Sequence, residues 1–135
     1  MNIESFDPSS ALIVVPGLVI GPWGAGQLRL AIDTGAGETI IDPSVLDRLG
    51  YSARLGESVT VNRSVAATEL GYMIRVQRFE ALSHTFSDFR VNALDLPEGW
   101  DIDGLLGMSF MRRFDWHLLF SKGQIQTEQP GVTHG

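Results

Sequence analysis

Apolar residues in this chain fall in short clusters rather than in helical stripes. Ala11-Leu12-Ile13-Val14-Val15 is a β-branched run that Pro16-Gly17 interrupts, and Leu18-Val19-Ile20 is a second run. Gly21-Pro22-Trp23-Gly24-Ala25-Gly26 is turn chemistry, glycine being free to take positive φ and proline holding φ fixed. Gln27 to Ile32 alternates polar and apolar, the period of a strand with one buried face, and runs straight into Asp33-Thr34-Gly35-Ala36-Gly37. Thr39-Ile40-Ile41 predicts another short strand. Residues 42–50 predict a short helix: Asp42 suits the N-cap, Pro43 the first helical position and Gly50 the left-handed stop, with Val45, Leu46 and Leu49 on one face.

From Ser58 to Phe79 the pattern is mostly extended, with a reversal expected near Glu69-Leu70-Gly71. Phe86 to Leu94 alternates again, Leu96-Pro97-Glu98-Gly99 is a turn, and Met108 to Phe114 predicts a second short helix. Leu118-Leu119-Phe120 and Gln124 to Thr127, joined by Ser121-Lys122-Gly123, predict a closing hairpin. Many short strands with Gly/Pro turns and one or two short helices imply an all-β, closed or sandwich-like domain. No internal repeat is visible, so a single lobe is expected: an N-terminal extension over 1–10, the domain over 11–128 and a flexible polar tail over 129–135.

Composition narrows the function. The chain has 135 residues, 10 basic against 16 acidic side chains, and no cysteine. A net charge of −6 argues against nucleic acid as partner, because phosphate contacts need excess Lys and Arg. Without cysteine there is no disulfide framework or thiolate metal site. His84, His117 and His134 lack ligand spacing, and Asp101-Ile102-Asp103-Gly104 lacks the remaining ligands of a calcium loop, so no metal or cofactor is implied. The uncharged stretch from Pro8 to Leu28 is broken by Pro8, Pro16 and Pro22 and by glycines, which makes a membrane helix improbable and no membrane partner is expected. Met1 to Asp7 carries two acids and no Lys or Arg, unlike a secretory signal, so the expected compartment is the cytoplasm.

The most informative tract is Leu28 to Ile41. An acid ends an apolar strand, is followed by a hydroxyl and a glycine, and precedes a second apolar strand. The strand would carry Asp33 toward the interior, where a lone carboxylate is costly. It must be compensated there or face solvent. D-T-G taken alone reads more readily as a solvated β-turn. A second signal is Asp103-Gly104-Leu105-Leu106-Gly107, two bulky apolar residues between glycines, followed by a short helix. On its own this is an ordinary strand-to-helix turn.

Together, in this order and at this distance, the two tracts resemble the retropepsin-like (retroviral-type) aspartic proteases, in particular their bacterial members. The resemblance runs from about Ala11 to Gln126 and rests on I-D-T-G-A at Ile32–Ala36, G-E-T-I-I-D-P at Gly37–Pro43, L-G-Y at Leu49–Tyr51, L-P at Leu96-Pro97 and D-G-L-L-G at Asp103–Gly107. It implies a closed β-barrel of the acid-protease type with Asp33 as catalytic acid/base. Thr34 would hydrogen-bond across to a partner loop, and the Gly35 backbone would approach the carboxylates. Ala36 would adjoin the substrate, and Leu105 and Leu106 would pack beneath the Asp33 loop. Thr68, Glu69, Leu70, Gly71 and Tyr72 would form a flap over a polypeptide substrate, with Gly71 at or near its tip.

The chemistry needs two carboxylates, one ionised and one protonated, which titrate as a unit. The chain contains one D-T-G, and Asp42, Asp95, Asp101 and Asp103 lack the following Thr/Ser-Gly. The second Asp33 must therefore come from a second copy, in a symmetric homodimer. Because Ala36 cannot donate a hydrogen bond to the aspartate, the pair is expected to work at mildly acidic to near-neutral pH. A binding module that keeps the fold and grips peptides without cutting is the alternative.

Overall fold

Strands form where the apolar clusters lie, but pairing sets their limits. The structure is a computed structural model describing residues 2–63 and 68–131. Its strands are β1 (Asn2–Ser5), β2 (Val14–Gly21), β3 (Gly24–Ile32), β4 (Ile40–Ile41), β5 (Ser58–Arg63), β6 (Thr68–Ala81), β7 (His84–Ala93), β8 (Gly104–Leu106), β9 (Asp115–Leu119) and β10 (Gln124–Glu128). Among the described residues there are two short α-helices, α1 (Pro43–Arg48) and α2 (Met108–Met111), and single 3-10 turns at Ala53–Leu55 and Phe120–Lys122.

β2, β3, β8, β4, β7 and β6 pair in that order, and β6 returns to β2 through Gly17–Ala81 to Ile20–Arg78, closing a six-stranded barrel. β5 lies outside the ring on β6. A separate three-stranded sheet has the order β1-β10-β9. The retropepsin-like closed barrel implied by the resemblance is therefore the fold found. The first ten residues, expected as an extension, supply β1, which pairs with β10 from Asn2–Thr127 to Ser5–Gln124. Of the expected tail, residues 132–135 lie outside the described residues.

Three local expectations change. Pro16-Gly17 does not break the chain, because β2 runs through it. Pairing with β6 begins only at Gly17, so Pro16, which has no N–H, sits where β2 has one neighbour, β3. The turn expected over 21–26 is tighter, because Gly21 already pairs with Gly24 and only Pro22-Trp23 cross over. The reversal expected at Glu69–Gly71 is not there. These residues pair with Asn62 to Thr60 as strand, and the last described rung is Arg63–Thr68. The connection over 64–67 lies outside the described residues.

Helix α1 matches its sequence signals: the Ser44 N–H donates to the Asp42 carboxylate at 2.9 Å, Pro43 opens the helix, and Gly50 has φ 92°. α2 stops at Met111, shorter than expected. It sets Phe110, fully buried, against an aromatic cluster on β6 and β7. Phe79 and Phe89 stack at 4.8 Å, and Phe110 meets Phe79 edge-on at 5.9 Å. This packing fixes the helix that follows β8, and through it the loop carrying Asp33.

Candidate active site

Asp33 is the first residue beyond β3. β3 runs parallel to β8, pairing Leu30, Ala31 and Ile32 with Gly104, Leu105 and Leu106. β4 runs antiparallel to the other edge of β8, pairing Ile40 with Leu105 and Ile41 with Gly104. The two strands flanking the Asp33 loop are thus joined through β8, both pairing with Gly104 and Leu105 of D-G-L-L-G. The Asp33 N–H donates to the Leu106 carbonyl at 3.0 Å. From below, the Met108 and Ser109 N–H groups donate to the carbonyls of Ala36 (2.8 Å) and Gly37 (2.9 Å). Thr39, fully buried, donates its N–H to Ser109 Oγ at 3.1 Å and accepts the Gly107 N–H on Oγ1 at 3.3 Å.

The glycines of the second motif follow from this closeness. A Cβ on Gly104 would collide with the Ile40 carbonyl, and one on Gly107 with the Glu38 and Ala36 carbonyls. Both motifs are therefore two sides of one contact, which explains why neither alone carries the signal.

Within the loop, the Gly35 N–H donates to Asp33 Oδ1 at 2.8 Å and the Ala36 N–H to the Asp33 carbonyl at 3.2 Å. Asp33 is thus held in a turn, as the plainer reading had it. Its carboxylate is half-exposed rather than interior, because the last β3–β8 rung is Ile32–Leu106 and the chain turns immediately afterwards. It opens onto a cleft of about 690 Å³ shared with Ala36, Leu105, Asn62, Glu69, Asn92 and Trp100.

Thr34 and Gly35 lie exposed at the crest of the loop. Ala36 and Leu105 line the cleft. Leu106 is fully buried in the core and accepts the Asp33 N–H on its carbonyl. Of the expected cover, Glu69 lines the cleft, whereas Leu70 is 72% exposed on the same hairpin face as Val59 and Val61. Thr68 is exposed in the last described rung. Gly71 is not at a tip but in the arm of the hairpin, opposite Thr60. Tyr72 is half-buried; burial, with a smaller push from the Asp47 charge, raises its pKa, and its hydroxyl has no partner among the described residues.

Sequence reasoning missed Asn62, Leu94, Asn92 and Trp100 as cleft residues and used Leu96-Pro97 only as a motif; all of them line the cleft. Asn92 left a signal. It is an amide inside the apolar alternation of β7, and a buried amide needs partners. Among the described residues no group of His, Asp and Glu could hold a metal, and no helix is long and apolar enough to cross a membrane.

A model of the aspartyl protease family matches residues 17–110. No curated protein matches the chain. Among solved structures it is similar to a retropepsin-like aspartic protease from Rickettsia conorii, with TM-score 0.66 and 17% identity over 91% of this chain and 86% of that one. It is similar to EIAV protease in complex with the inhibitor HBY-793, with TM-score 0.58 and 17% identity over 77% and 88%. It is also similar to the retroviral protease-like domain of Ddi1 from Leishmania major, with TM-score 0.55 and 12% identity over 92% of each chain. At such identities the likeness is one of fold.

Proposed function

The chain belongs to the aspartyl protease family, and from that premise we propose that it is an endopeptidase assembled as a homodimer, Asp33 of each copy supplying half of the catalytic pair. The observation that carries the reading is the clamp between the two motifs. It holds the D-T-G loop by backbone hydrogen bonds, with Asp33 on a cleft that the β5–β6 hairpin also lines. A preorganised carboxylate of this kind is what water activation requires.

One chain has one such carboxylate. Asp42 caps α1, Asp103 accepts the Arg29 N–H at 2.8 Å, and Asp101 faces Arg29. Asp95 lines the cleft but sits on the β7–β8 connection without a clamped loop. In the proposed dimer the exposed crests carrying Thr34 and Gly35 meet at the two-fold axis, where Thr34 bonds across to the partner loop. The two carboxylates share one proton, because like charges so close do not both ionise readily. The ionised member takes a proton from water, whose oxygen attacks the peptide carbonyl. The protonated member donates to the developing oxyanion, and collapse of the tetrahedral species passes a proton to the leaving amine. The domain proposed for this work is 11–128 together with β1, and the substrate is a polypeptide.

The test is a diverse peptide mixture incubated with the protein over pH ~4 to 8, a range spanning a shared-proton carboxylate pair, with new termini read by mass spectrometry. Wild type is expected to cut, with its optimum at mildly acidic to near-neutral pH. Asp33→Asn is expected to be inactive while remaining folded and dimeric. A folded dimer that binds peptides but cuts none would establish the non-catalytic alternative instead.

A further inference from the structure

The β5–β6 hairpin leaves the barrel at a definite place. The last rung joining β6 to β7 is Tyr72–Ala93, and beyond it only the rungs from Thr60–Gly71 to Arg63–Thr68 continue, with β5 alone as partner. A two-stranded ribbon projecting from a sheet is marginally stable by itself and would swing about its root.

Three side chains meet at that root. Thr60 Oγ1 donates to Asn92 Oδ1 at 2.9 Å, Asn92 Nδ2 donates to Asn62 Oδ1 at 2.8 Å, and Asn62 Nδ2 donates to Thr60 Oγ1 at 3.0 Å. The bonds run head to tail in a closed ring. Asn92 belongs to β7 in the barrel and is 6% exposed, while Thr60 and Asn62 belong to the projecting ribbon. Asn62 Nδ2 also reaches the Glu69 carbonyl across the ribbon at 3.4 Å. Gly71 makes the ring possible. A Cβ there would stand 2.8 Å from Thr60 Oγ1 and 3.1 Å from Asn92 Oδ1, and would collide with the Ala93 carbonyl. Asn62 and Asn92 line the same cleft as Asp33.

We infer that Asn92, with Thr60 and Asn62, is a positioning residue that braces the hairpin over the cleft, so that the hairpin does not swing about its root. A ring of satisfied, mutually polarising hydrogen bonds in a poorly hydrated place is stiff, and losing one member leaves two polar groups unpaired. The inference rests on the protease reading only for its consequence in catalysis; the brace itself is a property of the free chain.

The deciding measurement is amide hydrogen exchange of the intact, substrate-free protein, read on peptides covering 56–63 and 68–73. Thr60→Val removes the hydroxyl at nearly constant volume, Thr60→Ser restores it, and Asn92→Ala removes the barrel side of the ring. Exchange in both peptides is expected to rise about tenfold or more in Thr60→Val, as for a newly opened local unit, and to return toward wild type in Thr60→Ser. Peptides from β3 and β8 should keep their protection. Unchanged hairpin exchange in folded Thr60→Val would overturn the brace, even if Asn92→Ala fails to fold. Failure of the protein to cut any peptide would leave this readout intact and speak only against the protease reading. With a cleaved peptide, Thr60→Val is expected to raise KM several-fold more than it lowers kcat. A brace confirmed by exchange but with KM unmoved would remove its role in positioning.

Discussion

Leu82 and Ser83 carry the β6–β7 hairpin on φ of 53° and 65°, so both central residues of this two-residue turn are in the left-handed region without a glycine or asparagine. That is costly for side chains with a Cβ. At Leu82 the cost is offset by burial, since the side chain is 4% exposed in the core; Ser83 is exposed and gains nothing comparable. Ser83→Gly is therefore expected to stabilise the protein by about 0.5–1 kcal/mol, whereas Leu82→Gly should cost ~2 kcal/mol or more through lost packing. Urea unfolding midpoints check both. The turn escaped sequence reasoning for the same reason: it contains none of the residues that normally announce a positive φ. Asp33 is the opposite case, its neighbours Thr34 and Gly35 announcing the turn that the Gly35 and Ala36 N–H groups close.

Elements are joined here by single polar side chains at their seams. Where β2–β6 pairing ends at Ile20–Arg78, the Tyr51 hydroxyl takes over, donating to the Ile20 carbonyl and accepting the Gln77 N–H, each at 2.7 Å. Gly21 lies against its ring, where a Cβ would stand 2.7 Å from Cε2. Tyr51→Phe keeps the ring and is expected to lower stability by about 1 kcal/mol, the net worth of hydrogen bonds to part-buried backbone groups. His84 makes the corresponding seam between the barrel and the terminal sheet. Its ring stacks on Phe114 at 3.7 Å, and Nε2 lies 3.0 Å from Thr127 Oγ1 and 3.4 Å from Asn2 Nδ2. Burial holds the His84 pKa below its ordinary value. The unfolded chain thus takes up the proton first, so this contribution is full above about pH 6.5 and is lost as pH falls through the lower folded value. Wild-type stability should decline over that window more steeply than that of His84→Gln, in urea titrations at constant ionic strength.

At the scale of the whole molecule, the proposed mechanism makes one chain half of a site. If Asp33 works in a pair across a two-fold axis, specific activity must fall on dilution through the dimer dissociation constant, and mixing wild type with excess Asp33→Asn must suppress it further by forming mixed dimers. Activity strictly proportional to concentration in a monomeric range would place both carboxylates in one chain. Asp95, on the same cleft, would then be the candidate partner. Both measurements need only a cleaved peptide and a sizing column.

Much of this was legible along the chain because it depends on near neighbours. The cap and stop of α1, the closing hairpin, the all-β class and the D-T-G and D-G-L-L-G motifs follow from local backbone chemistry and strand period. Tertiary structure alone decided what depends on residues far apart in sequence. It made D-G-L-L-G the strand between the two that flank Asp33, turned Leu106 inward and Leu105 toward the cleft, and carried β2 through Pro16 by leaving one edge open there. It also moved Gly71 from an expected tip into an arm, because the room it leaves is filled by Thr60 and Asn92, one across the ribbon and one in the barrel. A glycine in a sequence shows that space is needed; only the folded chain shows which atoms occupy it.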